Sequence, residues 1–447
     1  MSNNLRTYLK LHKVSLLLAL LSMLFYYTFA YHLERTDFPK LLTLFAALFF
    51  LCYKLIQFEK WNVTFLFSIG VLFRIIFLFT EPNLSQDFYR FIWDGELVRN
   101  FMNPYIAVPN NLISEPELII SNAGELHKGM GNLSARHYSN YPPLNQLLFA
   151  LATLLGGKNI FGAIIGLRGV IILADVGIFY FGRKLLKKLN RSPHFIFWYF
   201  LNPLILIELT GNLHFEGVML FFFVWSIYLL SIHKWQWAGV LLACSISIKL
   251  VPLLFLPLFL KHFSLKRSII FYSIIGFTCL VFLVPFYSSE FVTNYSKTIG
   301  LWFSNFEFNA SMWNVVKQIG ILFDAKPWEL IKTYGKITPV LTIGIVLIFT
   351  FLRKNKDIGT LLSSMLWILT LYYFLSATVH PWYIIFLVLL SIFTNFRYTL
   401  VWSLMVILSY FAYSQTDFSE NLYLLAIEYS TVIGYIIYEL SAHRNKS

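Results

Sequence analysis

Two carboxylates and an arginine stand at helical spacing in a polar segment that follows directly on an apolar run. The segment reads Ser85-Gln86-Asp87-Phe88-Tyr89-Arg90-Phe91-Ile92-Trp93-Asp94-Gly95. In a helix, Asp87, Arg90 and Asp94 share one face, and a carboxylate there could deprotonate a hydroxyl as a general base. The alternative is an ion-pair cluster that only caps the loop. We expect the apolar face of this helix to meet lipid at the membrane interface, through Phe88, Ile92 and part of Trp93.

A histidine with two nearby carboxylates occurs in the short corner Asn212-Leu213-His214-Phe215-Glu216, which follows Glu208. Such a group could bind a metal, a phosphate or a sugar, or it could be a plain polar corner between two helices. The spacing matches no strong metal template. We therefore predict no metal ligands and no cofactor, and a divalent metal stays an alternative that the spacing does not support.

Lys249 lies between two apolar segments, where a Pro252 also marks a break. A cation in such a place is costly and is a functional candidate by default. An anionic phosphate head group is an obvious partner, and a lysine that snorkels to the interface is the alternative. Other charged residues embedded in apolar runs are better explained by structural pairing inside the bundle, and these are Arg74, Arg168, Asp175 and Glu428.

Two proline motifs lie in segments that we assign to the same side of the membrane. They are Tyr141-Pro142-Pro143-Leu144 and His380-Pro381-Trp382-Tyr383. Proline fixes the backbone and ends helices, so the first motif alone is more typical of a turn than of a site. The side chains of Tyr141, His380 and Tyr383 are nevertheless candidates to line an outward cavity.

The composition is that of a membrane protein. The chain has 447 residues, of which 58% are hydrophobic, 19% aromatic and 13% charged, and its mean hydropathy is +0.66. Soluble domains carry about 25% charged residues, so we predict an all-α polytopic membrane protein. The three cysteines lie in apolar runs, which predicts no disulfide framework. Motifs for nucleotide binding are absent from the sequence.

The net charge of +13 is explained by membrane topology and does not indicate nucleic-acid binding. Twenty of the 35 basic residues fall in short clusters between apolar runs, and the positive-inside rule assigns these clusters to the cytoplasm. Both termini, with Arg6 and Lys446, are then cytoplasmic. The two long loops, 81–161 and 288–336, are predicted to lie on the opposite side, which for a bacterial inner membrane is the periplasm or exterior.

We predict about fourteen transmembrane helices. An apolar segment from Pro143 to Gly156 is short for a span and is predicted to lie in or dip into the outer leaflet. We divide the chain into N-terminal helices, 1–60, and a catalytic membrane domain, 61–447. The predicted spans are 13–31, 39–57, 61–80, 162–182, 194–210, 215–233, 236–248, 250–262, 268–287, 337–352, 359–376, 382–396, 398–413 and 420–439.

Taken in order, these motifs resemble those of bacterial GT-C-fold glycosyltransferases, especially the type that depends on polyprenyl-phosphate mannose. The resemblance stretches from about residue 62 to 395. The chain differs from the simplest pattern of that family because it has two extra helices before residue 61. It also lacks a paired acid before Asp87, where Gln86 stands. The segments that carry the resemblance are 85–95, Asn103-Pro104-Tyr105, 141–144, Leu201-Asn202-Pro203 with 212–216, Lys249 and 380–383.

The resemblance implies transfer of a hexose, most often mannose, from a polyprenyl-phosphate donor to a hydroxyl of a glycan or glycolipid acceptor on the non-cytoplasmic face. It also implies that Asp87 is the base. A single base suffices for an inverting displacement, because the leaving phosphate needs little protonation. Cations near the developing charge would come from Arg90, His214, Lys249 or His380. The predicted substrate-binding residues are Arg90, Asp94, Tyr141, His214, Glu216, Lys249, His380 and Tyr383.

Two other functions stay open. A lipid flippase or transporter would show internal pseudo-symmetry and charges at mid-membrane, whereas the candidates here cluster in external loops. A polysaccharide polymerase or ligase would be expected to rely on cationic loop residues more than on an early carboxylate. Convergence of Asp87, His214 and Lys249 on one outer cavity would favour the glycosyltransferase.

Overall fold

The computed structural model describes residues 7, 8 and 10–444, and within this part the secondary structure is helical, with no β-strand. Arg6 and Lys446, which belong to predicted cytoplasmic clusters, lie outside the described residues. The helices are α1 (Lys13–His32), α2 (Phe38–Glu59), α3 (Val63–Ile76), α4 (Asp87–Arg99), α5 (Ala123–Ala135), α6 (Pro143–Gly156), α7 (Ile160–Lys188), α8 (Pro193–Phe200), α9 (Pro203–Gly211), α10 (Glu216–Ser231), α11 (Trp235–Ile246), α12 (Val251–His262), α13 (Leu265–Phe286), α14 (Ser289–Ser304), α15 (Met312–Leu322), α16 (Pro327–Phe351), α17 (Ile358–Leu375), α18 (Pro381–Ile392), α19 (Tyr398–Ser414) and α20 (Leu422–Arg444).

Polar residues set the starts of the apolar helices. Asp37 accepts a hydrogen bond from the backbone N–H of Lys40 and so caps α2, and Asn62 caps α3 in the same way through the N–H of Phe65. A side-chain oxygen at this position satisfies one of the N–H groups that a helix start leaves unpaired. The corners between spans are therefore short and specified locally.

Seven of the described helices are long and apolar enough to cross a membrane by themselves: α1, α2, α7, α13, α16, α17 and α20. An eighth crossing is formed if α8 and α9 act as one span that bends by 51°. The bend lies at Asn202, whose backbone is extended because Pro203 follows it. These features confirm an all-α polytopic membrane protein.

Every predicted span coincides with a helix, but the count of about fourteen is not established. The other six predicted spans fall on apolar helices of 10–17 residues, a class that also contains α6. A helix of that length is short for a complete crossing. These helices end at polar corners or prolines. A prediction from hydrophobicity alone gives such residues too little weight and therefore makes the apolar segments too long.

One apolar core extends from Ala19 in α1 to Val432 in α20, so the N-terminal helices pack into the same body as the rest of the chain. α2 packs against α19, and α7 packs against both α6 and α10. The predicted division at residue 60 stays a prediction.

Buried arginines hold together the elements that lead to the outer corners. The Arg74 and Asp175 side chains are fully buried and form an ion pair at 2.9 Å. Arg168 does not pair with Asp175, although both lie on α7. Its guanidinium instead donates to four backbone carbonyls, those of Leu78, Thr80, Thr210 and Gly211. These carbonyls end α3 and α9, so Arg168 fixes the starts of the two segments that carry Asp87 and His214.

The polar helix α4 is not an interfacial helix with a lipid-facing side, as the sequence had suggested. Phe88, Ile92 and Trp93 are 2%, 3% and 0% exposed, because α5 and α6 pack over the helix. Gly95 allows this approach, since a Cβ there would lie 2.6 Å from the carbonyl oxygen of Phe149 in α6. α4 is therefore held rigidly inside the protein.

Candidate active site

Asp87 is the first residue of α4, and its carboxylate is open. Its backbone N–H donates to Ser85 Oγ at 3.3 Å, whereas its carboxylate accepts no hydrogen bond and forms no ion pair within the described part of the chain. Burial raises the pKa of the Asp87 carboxyl above its usual range, and Lys249 and Arg35 oppose this shift. The helix N-terminus also favours a negative charge at this position.

Arg90 and Asp94 form a closed network that does not include Asp87. Arg90 Nε lies 2.7 Å from Asp94 Oδ1, and the guanidinium also donates to the carbonyls of Ser134 and His137. The second oxygen of Asp94 accepts from side chains of the loop and of α6, Ser139 and Gln146. Arg90 and Asp94 therefore form the structural ion pair that the sequence analysis gave as the alternative to catalysis. They connect α4 to the loop that follows α5 and to α6.

Lys249 lies at the break between α11 and α12, where its ammonium pairs with Glu216 at 2.9 Å. The Lys249 Nζ is also 5.6 Å from the ring centre of Tyr141. The N–H of Asn145 donates to the carbonyl of Ser247, which brings the Tyr141 motif to this break. Glu208, the other carboxylate near His214 in the sequence, does not bind Lys249 but accepts a hydrogen bond from the Tyr410 hydroxyl at 2.6 Å.

A stack of four rings forms one wall of the site. His214 lies on Trp382 at 3.8 Å between ring centres, Trp382 lies on His380 at 4.3 Å, and His380 lies on Phe308 at 5.0 Å. His214 Nε2 and His380 Nδ1 are buried without a hydrogen-bond partner. His214 Nε2 nevertheless lies 3.5 Å from Glu208 Oε2, which leaves His380 Nδ1 as the nitrogen with an unused hydrogen-bonding position.

Both histidines in the stack are neutral at physiological pH. Burial, assisted by the positive charge of Lys249, lowers the pKa of His214 well below its usual range and that of His380 to about 3. A neutral imidazole donates or accepts hydrogen bonds but does not supply a positive charge. The cations of the site are thus Lys249 and one arginine that the sequence analysis missed.

The missed residue is Arg35, in the corner between α1 and α2. Its guanidinium carbon lies 3.5 Å from the ring centre of Tyr413, and its charge acts on Asp87, His214 and His380. In the sequence, Arg35 stands between Glu34 and Asp37 and has the pattern of an ordinary solvated loop charge. Only the packing of the N-terminal helices against α19 brings it to Asp87.

Four of the predicted site residues interact electrostatically with Asp87, although they come from distant segments. The charge of Asp87 acts on Tyr141 and Tyr383, and Lys249 and Glu216 act on Asp87 in turn. Within the described residues, no three His, Cys, Asp or Glu side chains are arranged to hold a metal. The arrangement offers one open carboxylate, two cations and two neutral imidazoles, which suits proton abstraction beside an anion.

A separate cavity of about 300 Å³ lies at the other end of α11 from Lys249. Its lining includes His233, His262 and Arg267 and no carboxylate. It has no carboxylate base, and its lining includes none of the groups around Asp87. The converging charged residues, and not this cavity, define the candidate active site.

A helical membrane bundle that holds an open carboxylate beside two cations has the features of a membrane-embedded group-transfer enzyme. Residues 38–263, half of the chain, match the family model of the alpha-(1->6)-mannopyranosyltransferase N-terminal domain. The chain belongs to this mannosyltransferase family, which is of the GT-C type. No curated protein matches the sequence. The family confirms the predicted resemblance, the glycosyltransferase class and mannosyl transfer, and it argues against the transporter alternative.

The matched region contains Asp87, His214, Glu216 and Lys249 but not the whole site. Three groups that interact electrostatically with Asp87 or with its neighbours fall outside it, on the N-terminal corner and in the C-terminal third of the chain. These are Arg35, the His380–Tyr383 corner and Tyr413.

Proposed function

We propose that this mannosyltransferase takes mannose from a polyprenyl-phosphate donor and transfers it, with inversion, to a hydroxyl of a glycan or glycolipid, with Asp87 as the general base. The observation that carries the proposal is the open carboxylate of Asp87. The neighbouring acids are engaged, since Asp94 binds Arg90 and Glu216 binds Lys249. A base must have a free lone pair within reach of the hydroxyl that it deprotonates.

In this mechanism, Asp87 removes the proton of the acceptor hydroxyl as that oxygen attacks the anomeric carbon of mannose. The bond between that carbon and the phosphate oxygen breaks on the opposite face, and the electron pair leaves with polyprenyl phosphate. A phosphate leaves as a stable anion and needs no acid catalyst. Lys249 stabilises the charge that develops on it.

The other site residues position the substrates. The neutral imidazole of His380 offers a hydrogen bond to a sugar hydroxyl, and Trp382, stacked between His380 and His214, holds the two rings in place. Tyr141 and Tyr383 line the approach to Asp87. Arg90 and Asp94, which the sequence suggested as substrate ligands, act in this scheme by holding α4 in place.

We place the reaction on the non-cytoplasmic face, in a bacterial inner membrane, because the basic clusters assign the loop 81–161 to that side. A long lipid donor would enter sideways between helices. The donor would therefore reach the site from the surrounding membrane lipids. The proposed reaction involves no nucleic acid.

The family name specifies an alpha-(1->6) product, so inversion requires a donor with a β-linked mannosyl phosphate. Purified enzyme should be incubated with polyprenyl-phosphate mannose, glucose, galactose and arabinose and with a mannoside acceptor. We expect release of polyprenyl phosphate and a new α-linkage only from the β-linked mannosyl donor. Equal use of an α-linked donor would contradict inversion, and preference for another sugar would contradict the choice of mannose.

A further inference from the structure

Arg35 is a cation of the site without a carboxylate partner in the described residues. Glu34 is exposed to solvent, and Asp37 is engaged as the cap of α2. No described ion pair includes Arg35, and its Nε is buried without a hydrogen-bond partner. A buried donor of this kind costs free energy unless something binds it.

Tyr413 holds the guanidinium in place. The guanidinium carbon lies 3.5 Å from the ring centre of Tyr413, and the planar guanidinium carries five N–H groups in its own plane. Tyr413 is itself packed against Phe308 and Tyr410 at 5.7 Å and 5.5 Å between ring centres. Arg35 is thus presented by a rigid support and does not depend on a substrate to order it.

The group that Arg35 meets must be an anion supplied from outside the protein. The charge of Arg35 acts on Asp87, but no hydrogen bond or ion pair joins the two groups in the described part of the chain. Arg90 pairs with Asp94 and Lys249 with Glu216, so among these three cations Arg35 is the one whose charge no carboxylate of the described residues balances. The planar fork of an arginine fits two oxygens of a phosphate.

We propose that Arg35 binds the phosphate of the lipid donor and remains on the departing polyprenyl phosphate after transfer. The inference rests on the proposed function, and it adds that the donor site is completed by the corner between α1 and α2 and by α19, both outside the region that matches the family. The two N-terminal helices therefore contribute a substrate ligand and are not merely an additional anchor.

The test is equilibrium binding of polyprenyl phosphate to detergent-purified wild type, Arg35→Gln and Arg136→Gln, with uncharged polyprenol as the matched ligand. Arg136 is an exposed arginine in the loop 81–161 and serves as the control. We expect Arg35→Gln to weaken polyprenyl phosphate binding by about 10- to 100-fold. Polyprenol should bind all three proteins with the same affinity. Polyprenyl phosphate should bind Arg136→Gln with the affinity that it has for the wild type.

Tyr413→Leu is the second variant, because it keeps Arg35 but removes its support, and it should weaken phosphate binding in the same direction. Wild-type affinity in both folded variants would overturn the inference. So would equal displacement of polyprenyl phosphate by phosphatidylglycerol or inorganic phosphate, since the occupant would then be bulk lipid or a free anion. A third outcome separates the inference from the proposed function. If Arg35→Gln loses polyprenyl phosphate binding but the wild type transfers no mannose, the proposed function is contradicted and the phosphate site at Arg35 is supported.

Discussion

Asp87 and Asp94 lie two turns apart on one helix and have opposite surroundings. Asp94 is fully buried and accepts hydrogen bonds from Arg90, Ser139 and Gln146. Asp87 is half-buried, and its carboxylate has no such partner among the described residues. The spacing could predict that both acids share a helix face, but it could not separate their roles, because Ser139 and Gln146 come from segments 45 and 52 residues further along.

Asp94→Asn should lower stability more than it lowers the intrinsic rate. Removing one partner of a buried ion pair costs about 3–5 kcal/mol, and Arg90 would be left with an amide in place of a carboxylate. We expect a clear fall in the thermal unfolding temperature in detergent, with turnover per folded molecule within a few-fold of the wild type. The exposed Asp324 provides the control substitution Asp324→Asn, which should leave both quantities unchanged. A stable Asp94→Asn enzyme with no turnover would instead make Asp94 a catalytic group.

Lys249 pairs with Glu216 in the structure, and the proposed mechanism gives it a second partner, the phosphate of the donor. Lys249→Gln should weaken donor binding by about 10- to 100-fold, as expected for loss of a charge-assisted hydrogen bond. It also leaves Glu216 without its cation. The double variant Lys249→Gln/Glu216→Gln should recover stability but not donor affinity, measured by lipid titration. Recovery of both would show that Lys249 acts only as the partner of Glu216.

At the scale of elements, the positions of helices were predictable and their orientation was not. The apolar runs predicted a helix at every span, and the helical spacing of residues 87–94 predicted α4. The prediction that one side of α4 meets lipid was wrong, because α5 and α6 cover the helix and bury polar and apolar side chains alike. Lys249 was predicted at a helix break, but its pairing with Glu216 depends on how α10 and α11 pack.

A substitution at Gly95 would test whether the close contact between α4 and α6 contributes to stability and to the position of Asp87. Gly95→Ala would place a Cβ 2.6 Å from the carbonyl oxygen of Phe149, and relieving such crowding costs about 1–3 kcal/mol. We expect a lower unfolding temperature and reduced turnover, because α4 carries Asp87. Gly124→Ala in α5 is the matched control, since a Cβ there meets nothing within 4 Å. Equal behaviour of the two variants would mean that α6 yields freely and does not position α4.

At the scale of the whole molecule, composition and charge alone predicted the class of fold. A chain with 58% hydrophobic residues and clustered lysines and arginines has few alternatives to a helical membrane bundle. The interactions of Arg35, Tyr383 and Tyr413 with Asp87 could not be predicted in the same way. These residues are brought together by packing between the first helices and the last third of the chain. No local sequence pattern indicates that packing.

The proposed topology places the exposed Glu125 outside and the exposed Lys188 in the cytoplasm. In intact cells, a membrane-impermeant maleimide should modify Glu125→Cys and spare Lys188→Cys until the membrane is made permeable. Two native cysteines are buried and the third is half-buried, so the unsubstituted protein serves as the background control. The reverse labelling pattern would place the reaction in the cytoplasm and contradict the proposed side.

The most direct test of the central claim is the release of polyprenyl phosphate from polyprenyl-phosphate mannose by purified wild type and Asp87→Asn. The substitution keeps the shape of the side chain and removes its basicity. We predict that the wild type transfers mannose to an acceptor. Asp87→Asn should bind the donor normally but turn it over about 10²–10⁴ times more slowly, as expected for loss of a general base. Turnover by Asp87→Asn at the wild-type rate would contradict the assignment of Asp87 as the base.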